Sequence, residues 1–201
     1  LTSENITLTY KKESIVYDYW TFKINNIDFI VLFVNDSTLR ISYIYKRTPI
    51  PTKLFLKIIV DTFNEVRLFT KLTLGDTSKI MIDTETGKIE ISLFKIKILQ
   101  TAHTWYESFG FKNDKLEEKR GLINGFIDSR LIDIMGEEFV LKYNLSGYRD
   151  IANITIKDFI SILLTSGNTN IKDIINSIFD KLTEFSGIRD QGEYIQFYMG
   201  L

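Results

Sequence analysis

The sequence predicts an α+β protein: a central, mostly antiparallel sheet with flanking helices, followed by a mainly helical C-terminal region. Three observations carry this. Apolar residues recur at period two as far as residue 46. After Pro49 and Pro51 the period changes to that of a helix. Beyond Phe111 helical spacing dominates.

The elements follow in order. Residues 6–10 are a short β-rich run. Residues 15–24 alternate, with Val16, Trp20, Phe22 and Ile24 on one face and Asp18 the exception. Asn25-Asn26 reads as a two-residue hairpin turn. Residues 27–34 are nearly continuously apolar, as in a central strand covered on both faces. Asn35-Asp36-Ser37 is a second turn. Residues 39–46 alternate again, with Leu39, Ile41, Tyr43 and Tyr45 opposite Arg40, Ser42, Ile44 and Lys46. An antiparallel meander is the simplest topology. Thr52 then caps a helix in which Leu54, Phe55, Ile58, Ile59, Phe63 and Val66 keep helical spacing. Residues 67–74 are a further strand, Gly75-Asp76-Thr77 a turn, 80–82 a short apolar piece and 84–88 a loop. Ser92 caps a helix predicted to run to Phe109, with Phe94, Ile98, Ala102, Trp105 and Phe109 on one face. Gly110 supplies its left-handed stop, and Phe111 closes a Schellman-type contact onto its last turn.

Residues 112–120 are strongly charged, as a linker or as the solvated start of a helix. Residues 116–134 are predicted helical, weakened by Gly121 and Gly125, and 138–145 are ambiguous. Thr155 caps a helix through Leu164, with Asp158 at its third position. Asn170 caps another through Phe185, with Asp173 in the same place and Gly187 as the stop. Residues 194–199 return as a strand. The predicted division is an α/β domain over 1–111 and a helical region over 112–201.

Composition narrows the chemistry. A chain of 201 residues has room for one large domain or two small ones, and at this size about 70% of the unfolded surface is buried. A net charge of −1 gives no overall attraction to nucleic acid or to an anionic membrane, so no nucleic-acid partner is predicted. The absence of cysteine excludes disulfides, thiolate metal sites and cysteine nucleophiles. The single histidine, His103, argues against zinc and serine–histidine sites, and no metal is predicted. The longest apolar runs, such as 29–34, fall far short of the ~20 residues that span a bilayer. No secretory pattern opens the chain, which starts at Leu1 as a fragment or a processed form would.

The most informative stretch is Ile98-Leu99-Gln100-Thr101-Ala102-His103-Thr104-Trp105-Tyr106-Glu107-Ser108-Phe109-Gly110-Phe111. Its Tyr-x-x-x-Gly-Phe ending, after a meander, a helix, a strand and a loop, resembles the GCN5-related N-acetyltransferases over residues 27–111, and more loosely over 6–111. The piece from Thr104 to Phe111 is also similar to acetyltransferase-like proteins of large DNA viruses. The resemblance implies acetyl-CoA as cofactor. The strand ending near Tyr45 and the helix starting near Thr52 would flank its pyrophosphate, with Lys46, Arg47, Thr52 and Lys53 as contacts. The strand at 67–74 would diverge from its neighbour to admit the pantetheine arm. Tyr106 would be the general acid that protonates the departing thiolate. A viral setting implies an intracellular place, host cytoplasm or virion.

The chain also departs from that pattern. The family's pyrophosphate loop uses glycines so that backbone N–H groups can approach the phosphates. Here Tyr45-Lys46-Arg47-Thr48-Pro49-Ile50-Pro51-Thr52-Lys53 has no glycine, and its two prolines lack an N–H. The family continues past Gly-Phe with two more strands, where residues 112–185 read mostly helical.

Each candidate also has a plainer reading. Tyr106 is a helix-face aromatic whose hydroxyl reaches the surface. His103, three residues before it, is a base sharing its helix edge or an ordinary surface histidine. Asp76 and Glu90 are bases beside the cleft, or a turn former and a solvated charge. Trp105 belongs to a core or an interface, and Lys46, Arg47 and Lys53 to a solvated loop. The missing glycines favour a non-catalytic protein that keeps the fold as a scaffold, without cofactor. It would contact other protein chains as a structural or assembly component of a large DNA virus particle. The alternative is an acetyl-CoA-dependent N-acetyltransferase whose amine substrate attacks the thioester directly. A different α+β fold with a chance motif is the third reading.

Overall fold

Period-two patterning in the N-terminal part produces a meander. The computed structural model describes residues 6–12, 18–24, 27–35, 38–44, 52–66, 70–75, 78–148, 150–188 and 196–200. Strands β1 (Ile6–Lys12), β2 (Asp18–Ile24), β3 (Ile27–Asn35) and β4 (Thr38–Ile44) pair antiparallel in chain order. Helix α1 (Thr52–Val66) follows, and β5 (Lys71–Gly75) then pairs parallel with β4. A parallel pair cannot be joined by a hairpin, and α1 provides the crossover. Strands β6 (Lys79–Thr84) and β7 (Gly87–Ser92) form a separate hairpin. The last strand, β8 (Gln196–Gly200), rejoins the large sheet antiparallel to β5. The sheet order is β1-β2-β3-β4-β5-β8. With the helices described below, the protein is α+β. The turns predicted at Asn25-Asn26, Asp36-Ser37 and Asp76-Thr77 lie outside the described residues, as does the loop 45–51.

The chain forms two compact units. A sheet unit comprises Leu1–Gly75, Phe109–Lys112 and Ile195–Leu201, and a helical unit comprises Asp76–Ser108 and Asn113–Tyr194. The change of character after Phe111 thus falls inside a short piece that belongs to the sheet unit.

In the sheet unit, Leu39 and Ile41 on β4 lie beside Leu72 and Leu74 on β5 in register, and all four are buried. Their two-residue spacing puts them on one face of the sheet. Helix α1 buries Leu56 and Ile59, three residues apart, and exposes Lys53, Lys57 and Asp61 along another stripe. Val31 stands opposite Tyr43 and Leu32 opposite Ile41, so Ser42 is the extra residue of a β-bulge in β4.

The helical unit opens with the β6–β7 hairpin. Ile80 pairs with Ile91 and Ile82 with Ile89, while Lys79 reaches Glu90 at 3.0 Å. The predicted loop at 84–88 is corrected to a two-residue turn, Glu85-Thr86, closed by the Thr84–Gly87 pair. Gly87 adopts φ 131° there, a conformation open to glycine and strained for other residues. Helix α2 (Leu93–Thr101) starts where predicted, with the Ser92 side chain accepting from the Lys95 N–H. It buries Phe94, Ile96, Ile98 and Leu99, which do not share a single stripe, so α2 packs against more than one element of its unit.

The charged run at 112–120 is the start of a helix. Asn113 Oδ1 accepts from the Leu116 N–H at 3.1 Å and caps α3 (Asp114–Asp128). The helix predicted over 116–134 is two helices. The chain breaks at Ser129-Arg130, where Arg130 bridges Thr155, before α4 (Leu131–Lys142). Thr155 caps α5 (Ile156–Leu163) by accepting from the Asp158 N–H at 3.3 Å. Helix α6 (Ile171–Ser186) follows Asn170, whose side chain makes no capping bond. It ends at Gly187, φ 70°, as the sequence predicts. Helix α2 packs against α3, α5, α6 and β7. Phe94 meets Phe179 edge-on at 5.8 Å, and Lys95 Nζ lies 5.0 Å above the Phe179 ring. Among the described residues no helix is long and apolar enough to cross a membrane.

This packing sets a contrast. Phe179 is fully buried and Phe185 is 54% exposed. Phe179→Ala is expected to lower the unfolding free energy by about 3–5 kcal/mol. Phe185→Ala, which loses a tilted ring contact with Phe126 at 5.7 Å, is expected to cost about 1 kcal/mol. Urea denaturation of the two variants measures both.

Candidate functional site

The stretch that carries the Tyr-x-x-x-Gly-Phe pattern is not one helix. Helix α2 stops at Thr101, and Ala102 takes the left-handed conformation, φ 56° and ψ 10°, with its N–H donating to the Ile98 carbonyl. Tyr106–Phe109 form a separate 3-10 turn, and Gly110, φ 88°, follows that turn. The predicted continuous helix to Phe109 is therefore corrected. Phe111, expected to fold back on the helix end, is buried and belongs to the sheet unit.

Two sets of bonds hold the broken path. Thr104 and Glu107 form a capping box at the start of the turn. The Thr104 N–H donates to Glu107 Oε2, and the Glu107 N–H donates to Thr104 Oγ1. The second set centres on Arg120 of α3. Its Nη1 donates to the Ala102 carbonyl and to His103 Nδ1, the latter at 2.9 Å. Its Nη2 donates to Glu107 Oε1 and, at 2.7 Å, to Glu117 Oε2, which also accepts from Nε. The side chains of Arg120 and Glu107 are 14% and 15% exposed, whereas Glu117 is 72% exposed. Burial by itself lowers the Arg120 pKa. Hydrogen bonds to Glu117 and Glu107, with their charges, outweigh burial and hold it above the usual arginine range.

The candidate residues separate accordingly. Tyr106 is 6% exposed, its hydroxyl lies 2.8 Å from Ser78 Oγ, and its ring meets Trp105 edge-on at 5.1 Å. The expectation that its hydroxyl reaches the surface is corrected. Trp105 is half-buried. His103 lies ahead of the turn and is 57% exposed. Since arginine only donates, His103 Nδ1 is an acceptor. His103 lies between the end of α2 and the Tyr106 turn, so the two residues share no helix edge. Glu90 is exposed and paired with Lys79 on the hairpin. Thr52 is the first residue of α1, and Lys53 is exposed in its first turn. Lys46, Arg47 and Asp76 lie outside the described residues. Among the described residues no group of three His, Asp or Glu side chains is placed to hold a metal ion.

Sequence reasoning missed Glu107 and Arg120. The Thr-x-x-Glu spacing at 104–107 signals a helix start, but it sits inside an apolar stripe that continues α2. No local signal marks Arg120, which acts on residues 13 to 18 positions earlier. No family model, curated protein or solved structure matches the chain.

The geometry predicts unequal costs. Arg120→Ala leaves Glu107 buried without its counter-charge and is expected to cost about 3–5 kcal/mol. Glu117→Ala removes an exposed partner and is expected to cost under about 1 kcal/mol. Equilibrium unfolding of the two variants checks the difference.

Proposed function

We propose that the chain is a non-catalytic protein built on an acetyltransferase-like frame, acting through its surfaces as a structural or interaction component. Assembly within a large DNA virus particle is the setting suggested by the resemblance at Thr104–Phe111. The state of Tyr106 carries this reading. A general acid must present its proton to the leaving sulfur. The Tyr106 hydroxyl is buried against Ser78, on a turn held by a capping box and beside an arginine network. Its chemistry is used to fix the chain. The glycine-free stretch from Tyr45 to Lys53 supports the same reading from the cofactor side. Exposed apolar side chains support protein partners. Leu122, four residues before Phe126 on α3, is 44% exposed, and Phe185, whose ring meets that of Phe126, is 54% exposed.

One observation favours the alternative, an acetyl-CoA-dependent N-acetyltransferase. Strands β4 and β5 pair in parallel from Thr38–Lys71 to Ile41–Leu74, and Ser42, Tyr43 and Ile44 run on beyond the last pair from the bulge. Carboxyl ends of parallel strands beside a helix start are where ligands of α/β sheets bind. In that reading Lys46, Arg47, Thr52 and Lys53 hold the pyrophosphate, and Tyr106 gives the proton.

Isothermal titration of the full chain with acetyl-CoA, against CoA alone, separates the two. The scaffold reading predicts no saturable heat at millimolar cofactor. Micromolar binding that is lost when Lys46, Arg47 and Lys53 are replaced overturns it. Tyr106→Phe is expected to lower stability by about 1 kcal/mol, the worth of one hydrogen bond, as read from thermal unfolding.

A further inference from the structure

We propose that the helical unit is an inserted module whose folding and opening do not depend on the sheet into which it is spliced. This goes beyond the proposed function and holds for a scaffold and for an enzyme alike.

The connectivity of the sheet is the first observation. Gly75, the last residue of β5, pairs directly with Gln196, the first residue of β8. The excursion from Asp76 to Tyr194, with Phe109–Lys112 returning to the sheet unit midway, therefore begins and ends across a single antiparallel pair, a place where a short hairpin turn would suffice. Insertions of whole domains are tolerated at such points. Apart from Phe109–Lys112, everything from Asp76 to Tyr194 belongs to the helical unit.

The second observation is that this unit supplies its own core and its own end-caps. Helix α2 is surrounded by α3, α5, α6 and β7 of the same unit. Phe94 packs on Phe179, and Tyr148 on Phe159. Ser92, Asn113 and Thr155 cap three of its helices from within. Its hairpin is fastened inside the unit as well. The Glu85 N–H donates to the Gly167 carbonyl and the Leu93 N–H to the Ser78 carbonyl, both at 2.9 Å. A set of elements with a core and helix caps of its own opens as one cooperative body.

The chain carries the probes for a test. Of its two tryptophans, Trp20 lies in β2 of the sheet unit and Trp105 in the helical unit. Full-length Trp20→Phe and Trp105→Phe variants each leave one reporter, and urea unfolding is followed with and without Phe179→Ala. The expected result is a Trp105 midpoint lowered by roughly 1 M urea or more, with the Trp20 midpoint unchanged. Hydrogen exchange on the full-length Phe179→Ala chain, with both tryptophans kept, is the second readout. Exchange should quicken over 78–108 and 113–188 and keep its wild-type rate in β2 to β5. Midpoints that move together, or exchange that quickens equally in β3 and β4, overturn the proposal. If Phe179→Ala leaves the helical unit wholly unfolded, the Trp20 transition and the protection of β3 must still persist. Their loss overturns it too.

Discussion

The guanidinium of Arg120 is the constraint on which the candidate site depends. It holds a carbonyl, an imidazole nitrogen and two carboxylates at once. Ala102 is not a glycine, and its left-handed conformation costs on the order of 1–2 kcal/mol. The Arg120–Ala102 bond and the Thr104–Glu107 capping box offset that cost by satisfying the backbone on both sides of the break. Once the break is held, Tyr106 starts a new turn, and its hydroxyl meets Ser78 at the foot of the β6–β7 hairpin. Glu107, His103 and Tyr106 are in this way held along one broken path.

How much of this was legible from residues alone follows from where each signal resides. The meander was legible because alternation is a property of each strand by itself. The starts of α2 and α5 were legible because Ser92 and Thr155 cap locally, and the end of α6 because Gly187 needs no partner to adopt a positive φ. The hairpin was hidden because Thr84 to Lys88 has the composition of a loop, while Ile89 and Ile91 make too short an alternation to stand out. The break at Ala102 was hidden for a stronger reason. Phe94, Ile98, Ala102, Trp105 and Phe109 keep helical spacing through it, and what interrupts them is an arginine from another helix. Such tertiary overrides leave no local trace.

The one parallel pairing among the described strands is that of β4 and β5. A crossover helix, a bulge at Ser42 and strand ends that run on past the pairing form a frame that could hold an extended ligand. In sequence, β4 is followed by a stretch with two prolines and no glycine. A backbone lacking those N–H donors cannot be restored by lysine and arginine side chains, which supply charge without the close approach. Packing of Leu39, Ile41, Leu72 and Leu74 sustains this pair of strands without any bound group.

The central claim is that Arg120 and Glu107 act together to hold the broken path that commits Tyr106 to structure. A double-mutant cycle on Arg120→Met and Glu107→Gln, read by urea unfolding, tests it most directly. The account predicts a coupling energy of about 2–3 kcal/mol, since both side chains are largely buried and joined by a charged hydrogen bond. A coupling below about 0.5 kcal/mol, as for independent sites, would contradict it and return Tyr106 to the list of catalytic candidates.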